Sequence, residues 1–279
     1  MRSRPLLRAG VRPHDRPDGL KHQPRKRFGQ NFLTDQGAID AIIDAVNPRP
    51  GETLVEIGPG LGALTRPLLA AAGQLHAIEI DRDLVSSLQQ TYGRPLNLHV
   101  GDVLDFDFSS LGADLRVIGN LPYNISTPLL FRLADFAPHL RDIHVMLQKE
   151  VVERMVAAAG DSEYSRLTVM LQYRFSMEKI LDVPAAAFNP VPQVDSAVVR
   201  LVPLPSSSLH ALDDAMLERV VTAAFSQRRK TLRNSLRQWI GESAFETLGI
   251  SATARAQELS VAQFVALADY LSRRTQPLA

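Results

Sequence analysis

From residue 53 onward, short apolar runs rich in β-branched residues alternate with stretches whose apolar positions recur at helical spacing. Residues 53–57, 75–80, 96–100, 115–118 and 143–147 read as strands, and 63–72, 83–91 and about 127–136 read as helices between them. Two helical stretches follow, near 150–159 and 165–175. Residues 177–183 and 197–202 close the series as an antiparallel pair. This alternation predicts an α/β fold with an open, doubly wound sheet. Pro203-Leu204-Pro205-Ser206-Ser207-Ser208 is a linker by composition. Beyond it the pattern is helical throughout, at about 213–225, 228–240, 243–248 and 261–273. The expected layout is a basic extension over 1–24 without fixed structure, a sheet domain over 25–205 and a small all-helical domain over 206–279.

The polar and glycine positions at the strand ends carry the chemistry. In a doubly wound sheet, ligands bind beyond the carboxyl ends of the strands, near the switch in strand order. Glu56-Ile57-Gly58-Pro59-Gly60-Leu61-Gly62 follows a strand and opens a helix. Such a glycine turn by itself could serve NAD, FAD or a nucleoside. Pro59 has no N–H to offer a phosphate, and Glu56 would repel a diphosphate while suiting a cationic or amino-bearing ligand. Glu79 ends the next strand, where a carboxylate can take both ribose hydroxyls. Asp102 follows the third strand and can accept from an adenine amine. Each acid alone could be a solvated strand-end residue. Their joint spacing describes a nucleoside cofactor without phosphates, and so points to S-adenosylmethionine.

Asn120-Leu121-Pro122-Tyr123 follows the fourth strand. The Asn120 side-chain oxygen and the Leu121 or Pro122 carbonyl can accept both N–H groups of an exocyclic amine, and Tyr123 can stack on the ring that bears it. An adenine amine is a poor nucleophile because its lone pair is delocalised into the ring. Two acceptors let the nitrogen pyramidalise toward a methyl donor, so orientation and matched acceptors would do the catalysis without a metal. Phe188, on a proline-rich loop, is a candidate for the second stacking face; it could equally be a core anchor for that loop.

Charge is unevenly distributed. Residues 1–27 hold nine Lys or Arg against two Asp, whereas residues 28–205 hold thirteen against twenty-one. In the helical region Arg228, Arg229, Lys230, Arg233 and Arg237 cluster, which suits RNA phosphates or, equally, a solvated helix face. The arginine- and proline-rich start has no apolar core of a secretory signal. No uninterrupted apolar run is long enough to span a bilayer. Cysteine is absent, which removes disulfides and thiolate chemistry and fits a cytoplasmic protein.

Taken in order, these motifs closely resemble those of the small-subunit (16S) ribosomal RNA adenine N6,N6-dimethyltransferases. The likeness runs from Lys26-Arg27-Phe28-Gly29-Gln30-Asn31-Phe32-Leu33 almost to the C-terminus. It includes the stretch from Phe188 to Ser196 and the stretch from Phe225 to Asn234; residues 1–24 have no counterpart. The resemblance implies a class I methyltransferase (Rossmann-like) domain followed by a small helical domain. It also implies that Asn31, Leu33, Gly58, Glu79, Asp102 and Asn120 line the S-adenosylmethionine site. The implied substrate is two adjacent adenines in the 3′-terminal hairpin loop of 16S rRNA in the small ribosomal subunit, with Arg228, Arg229, Lys230 and Arg233 on the RNA. A monomer without membrane attachment is expected. Two other readings share the cofactor motifs: a large-subunit rRNA adenine methyltransferase, and a non-catalytic nucleic-acid-binding factor on the same fold. The intact tetrapeptide speaks against the second.

Overall fold

The computed structural model describes residues 30–275 except 206, 209 and 228. The extension over 1–24 and Arg228 therefore lie outside the described residues. The chain opens with β1 (Phe32–Leu33) and α1 (Gln36–Val46), then alternates β2 (Leu54–Ile57), α2 (Thr65–Ala72), β3 (Leu75–Glu79), α3 (Arg82–Tyr92), β4 (Leu96–Val100), β5 (Leu115–Asn120), α4 (Ser126–Asp135) and β6 (Leu140–Gln148). Helices α5 (Lys149–Val156) and α6 (Arg166–Gln172) precede β7 (Phe175–Val183), β8 (Phe188–Asn189) and β9 (Ser196–Pro203). The rest is α7 (Asp214–Phe225), α8 (Leu232–Ser235), α9 (Glu242–Thr247) and α10 (Val261–Thr275).

Seven strands form one sheet in the order β4-β3-β2-β5-β6-β9-β7. The pairs from β4 to β6 are parallel, and β9 runs antiparallel between β6 and β7. The central strands are near-continuous apolar runs because helices cover both faces. On one face Val55, Val117, Ile143 and Val145 pack with α4, α5 and α6; on the other Leu54, Ile118 and Met146 pack with α1, α2 and α3. Helix α6 serves two cores. Its Leu167 and Leu171 join the sheet core, while Val169 and the following Tyr173, which caps the helix, join a second apolar cluster built from α7 to α10.

Several elements differ from the sequence reading. Helix α1 had no counterpart in it, although Asp35 caps the helix by accepting from the Ala38 N–H at 2.7 Å and Ile39, Ile42 and Val46 form its buried stripe. The expected helix over 228–240 is reduced to one turn, α8. Thr231 instead bridges to Arg255, and the Leu232 and Arg233 N–H groups donate to the Ala254 and Ala252 carbonyls. Those bonds hold the first part of the segment against the 252–255 turn, so an uninterrupted helix cannot form. The end of the helix expected over 165–175 is also lost, because Phe175 begins β7.

Candidate active site

β2 ends at Ile57, and the chain turns back through Gly58 and Gly60, both at positive φ (63° and 58°) where a side chain would be strained. The ring of Phe32 closes on this turn; a Cβ at Gly60 would lie 3.1 Å from it. On the neighbouring strand, a Cβ at Gly119 would lie 2.6 Å from the Ile57 carbonyl oxygen. Glycine at 119 thus lets β5 run close beside β2 up to its last residue, which brings Asn120 next to the glycine turn.

A cavity of about 320 Å³ opens at these strand ends, where the strand order reverses about β2. Its wall takes in Asn31, Leu33, Gly58, Glu79, Asp102 and Asn120, together with Leu121, Pro122 and Tyr123. Nine residues assigned from sequence are therefore brought to one cavity. Phe32, Ile80 and Val103 add to the apolar part of the wall and were not assigned a role from sequence. Ile80, 45% exposed beside Glu79, is the one a strand-end pattern could have flagged.

The amide inventory of the glycine turn decides which ligands it can take. Gly58 N–H donates to the Ile78 carbonyl, Gly62 N–H to the Pro59 carbonyl, and Gly60 N–H to Glu79 Oε2. Pro59 has no N–H. The three glycine amides are spoken for by protein acceptors, which leaves no phosphate cradle at these residues. Glu79 is buried and also accepts from the Ile80 and Asp81 N–H groups through Oε1 at 2.9 Å each. Burial raises its pKa, opposed by those amides and reinforced by Asp81. Glu56 is buried more deeply and accepts from the Thr65 hydroxyl at 2.7 Å. Burial pushes its pKa up to about 8, with Glu79 adding to the effect. Asp102 is exposed and accepts from the Leu104 N–H through one oxygen. A ligand with hydroxyls, an amine and a positive charge matches these acids; a diphosphate does not.

At the other end of the cavity Asn120 donates from Nδ2 to the Asn31 carbonyl at 2.9 Å. A carbonyl can only accept, so this bond fixes which half of the amide is the nitrogen and leaves the oxygen as an acceptor. The Pro122 carbonyl accepts from Ile125 N–H and the Tyr123 carbonyl from Ser126 Oγ. Leu121, whose N–H is held by the Met146 carbonyl, keeps an unclaimed carbonyl among the described residues. Of the two carbonyls considered from sequence, Leu121 is the freer. Tyr123 is half-buried on the wall with its hydroxyl on Ser196 Oγ at 2.8 Å.

Phe188 stands apart. It is 2% exposed, belongs to the core cluster under α1, and is absent from the cavity wall; its backbone pairs with Leu33. Where it stands its ring offers no open face for stacking, and burial makes it the anchor of its loop. Arg229, Lys230, Arg233 and Arg237 are exposed in the helical region, away from the cavity wall. Arg233 meets Glu242 at 3.3 Å in a pair more than half exposed at both ends, which solvent largely screens. No group of three or more His, Asp or Glu able to hold a metal occurs among the described residues. No helix there is long and apolar enough to cross a membrane.

A doubly wound sheet with one reversed strand, and a cavity with paired acids beside a turn whose glycine amides are taken by protein acceptors, define a class I S-adenosylmethionine-dependent methyltransferase. The model of the family described as "Ribosomal RNA adenine dimethylase" matches residues 21–273, and the chain belongs to that family. It is 58% identical over 256 residues to the "Ribosomal RNA small subunit methyltransferase A" of Aromatoleum aromaticum, covering 91% of this chain and 97% of that protein. The protein of the same name from Thiobacillus denitrificans is 58% identical over 254 residues, covering 91% and 100%. Among solved structures, a dimethyladenosine transferase from Plasmodium falciparum superposes with a TM-score of 0.73 at 29% identity, covering 85% of this chain and 95% of that one. The 23S rRNA methyltransferase ErmE superposes with a TM-score of 0.69 at 28% identity, covering 87% and 100%.

Proposed function

We propose that this chain transfers methyl groups from S-adenosylmethionine to N6 of two adjacent adenines in the 3′-terminal hairpin loop of 16S rRNA. It does so on the small ribosomal subunit in the cytoplasm, as a monomer and as a step in subunit biogenesis. The small-subunit target is supported by the names of relatives at 58% identity over nearly their whole length, against 28% for the large-subunit enzyme ErmE. In this reading residues 25–205 carry the chemistry. The helical region 206–279 holds RNA phosphates through Arg228, Arg229, Lys230 and Arg233.

The observation that carries the reading is the Asn120–Asn31 bond, which leaves a carboxamide oxygen as acceptor on the cavity wall. Asn120 Oδ1 and the Leu121 carbonyl would take the two hydrogens of the adenine amine, drawing its lone pair out of conjugation. Tyr123 would stack on the base after it leaves the RNA stack, which costs least in a loop. Glu79 would hold the ribose hydroxyls of the cofactor and Asp102 its adenine amine. The bound cofactor supplies an electrophilic methyl on a sulfonium. Each transfer would leave the cofactor as a neutral thioether and release one N6 proton to solvent, and in the second transfer one acceptor alone would face the remaining N–H. Everything else is orientation by this chain's own groups.

Single-turnover methylation of undermethylated small subunits at saturating cofactor tests the assignment. Asn120→Ala removes one acceptor aligned with charge developing on nitrogen, and the step should slow by about 10²–10³, as for loss of one oxyanion-hole donor. A normal rate would move amine activation elsewhere. Label appearing on large rather than small subunits would replace the substrate.

A further inference from the structure

Ser196 is the first residue of β9 and is wholly buried. A buried hydroxyl is unfavourable unless bonded, and among the described residues its partner is the Tyr123 hydroxyl, 2.8 Å away. For packing alone, alanine would serve at this position. The two ends of the bond differ in stiffness. Tyr123 sits on the turn between β5 and α4. Ser196 sits in the sheet, in register with Gln148 of β6 and Val183 of β7. The residue before it is held as well: the Asp195 carbonyl accepts from Lys149 N–H and Asp195 Oδ1 accepts from Ala185 N–H, both at 2.9 Å.

We infer that Ser196 is a positioning residue for the methyl-transfer site, tethering the far end of the Tyr123 ring to the sheet so that the ring meets the target base in one orientation. A tyrosine ring turns about χ1 and, over a broad well, about χ2. A bond at the phenol oxygen fixes the direction of the ring axis and so sets χ1. A phenolic O–H also prefers the plane of its own ring, which restrains χ2. The stacking face is then settled before the base arrives, so a larger share of bound bases lies in line with the methyl donor, which acts on the rate at saturation. The tether also joins the tetrapeptide to the loop running from Phe188, whose other end is paired to Leu33 on the cofactor side of the cavity.

This inference rests on Tyr123 being the stacking residue, and the experiment separates the two. Single-turnover methylation of undermethylated small subunits is compared for wild type, Ser196→Ala, Tyr123→Phe, the double variant and Tyr123→Ala, at saturating cofactor and over a range of subunit concentration. Ser196→Ala and Tyr123→Phe should each lower the rate at saturating subunits by about three- to ten-fold, the scale of one net hydrogen bond. The half-saturating subunit concentration and cofactor affinity should stay unchanged. The double variant should be no slower than the slower single, because both changes remove the same bond. Tyr123→Phe alters a half-buried ring without touching the core, so the inference stays open to refutation if Ser196→Ala folds poorly. Wild-type rates per folded enzyme in both singles, or effects that multiply in the double, overturn the tether. If those rates are normal and Tyr123→Ala is slow, the tether falls and the stacking role stands. If Tyr123→Ala is also normal, the stacking role falls and takes the tether with it.

Discussion

Burial sets the charge of Glu56 before any ligand does. With its carboxyl titrating near 8, this cavity residue is mostly protonated at neutral pH. A positive charge nearby favours the carboxylate and lowers that value. Binding of cationic S-adenosylmethionine should therefore release protons from Glu56, and affinity should rise as pH rises from about 6 to 8, by up to about tenfold per pH unit. Glu56→Gln should flatten this contribution, since an amide of the same shape does not titrate. Calorimetry in buffers of different ionisation enthalpy reads the proton count directly. Equal counts for wild type and Glu56→Gln would mean that Glu56 keeps its proton in the complex. Glu79 differs although it lies in the same cavity: three backbone amides stabilise its anion and oppose the effect of burial.

At the scale of elements, charge density and chain path must be read together. Lys230 and Arg233 flank a segment pinned to the 252–255 turn rather than lying on one continuous helix, and both are exposed. If this patch holds RNA phosphates, replacing Arg229, Lys230 and Arg233 by Gln should reduce the salt slope of RNA binding by about 0.7–0.9 for each true contact. Cofactor affinity should not change. An unaltered slope would leave the patch a solvated face. The same segment shows why some elements escape a sequence reading. β4, at the edge of the sheet, matches the expected 96–100 run because Leu96 and Leu98 alternate with Asn97 and His99, a signal contained in five consecutive residues. The glycine turn and the tetrapeptide are also local, and both lie where strand ends place them. β1 and β8 have only two residues each and exist because they pair across the chain. The Asn120–Asn31 bond joins residues 89 apart and the Tyr123–Ser196 bond residues 73 apart. No periodicity marks such contacts, so the wall of the site was legible while the bonds that orient it were not. Phe188 illustrates the same limit, since an aromatic on a loop looks alike in sequence whether it faces a ligand or the core.

Across the whole molecule, the two ends of the sheet do different work. The carboxyl ends of the parallel strands form the cavity. At the opposite end Arg116 binds Asp142 through Nε and Nη2, Glu52 through Nη1 and the Val46 carbonyl through Nη2, fastening α1, the approach to β2, β5 and β6 together. His144 lies on the same strand as Asp142, in register with Ile118 and Arg200. It is 2% exposed, and among the described residues both ring nitrogens lack a hydrogen-bond partner; a carboxylate oxygen of Asp142 is 3.8 Å from Nδ1. Burial pushes its pKa down to about 4; Arg116 and Arg200 push the same way, and Asp142 opposes them. The native state thus holds the imidazole neutral, whereas the unfolded chain protonates it near 6.5. A folded pKa below the unfolded one means the unfolded state binds more protons between these values, so stability falls as pH falls. The contribution is complete above about 6.5 and is lost as pH drops toward 4. At pH 5 this single group should cost about 2 kcal/mol relative to pH 7.5, from ~1.4 kcal/mol per unit. His144→Leu removes the titration and leaves no unpaired nitrogen, so it should lose about that much less stability over the same interval. Urea unfolding of both proteins at pH 7.5 and pH 5 gives the comparison, and the acids around Arg116 drop out because they are common to both. If the two proteins lose stability equally, His144 is protonated in the native state at pH 5, and the acid sensitivity belongs to the Arg116 network instead.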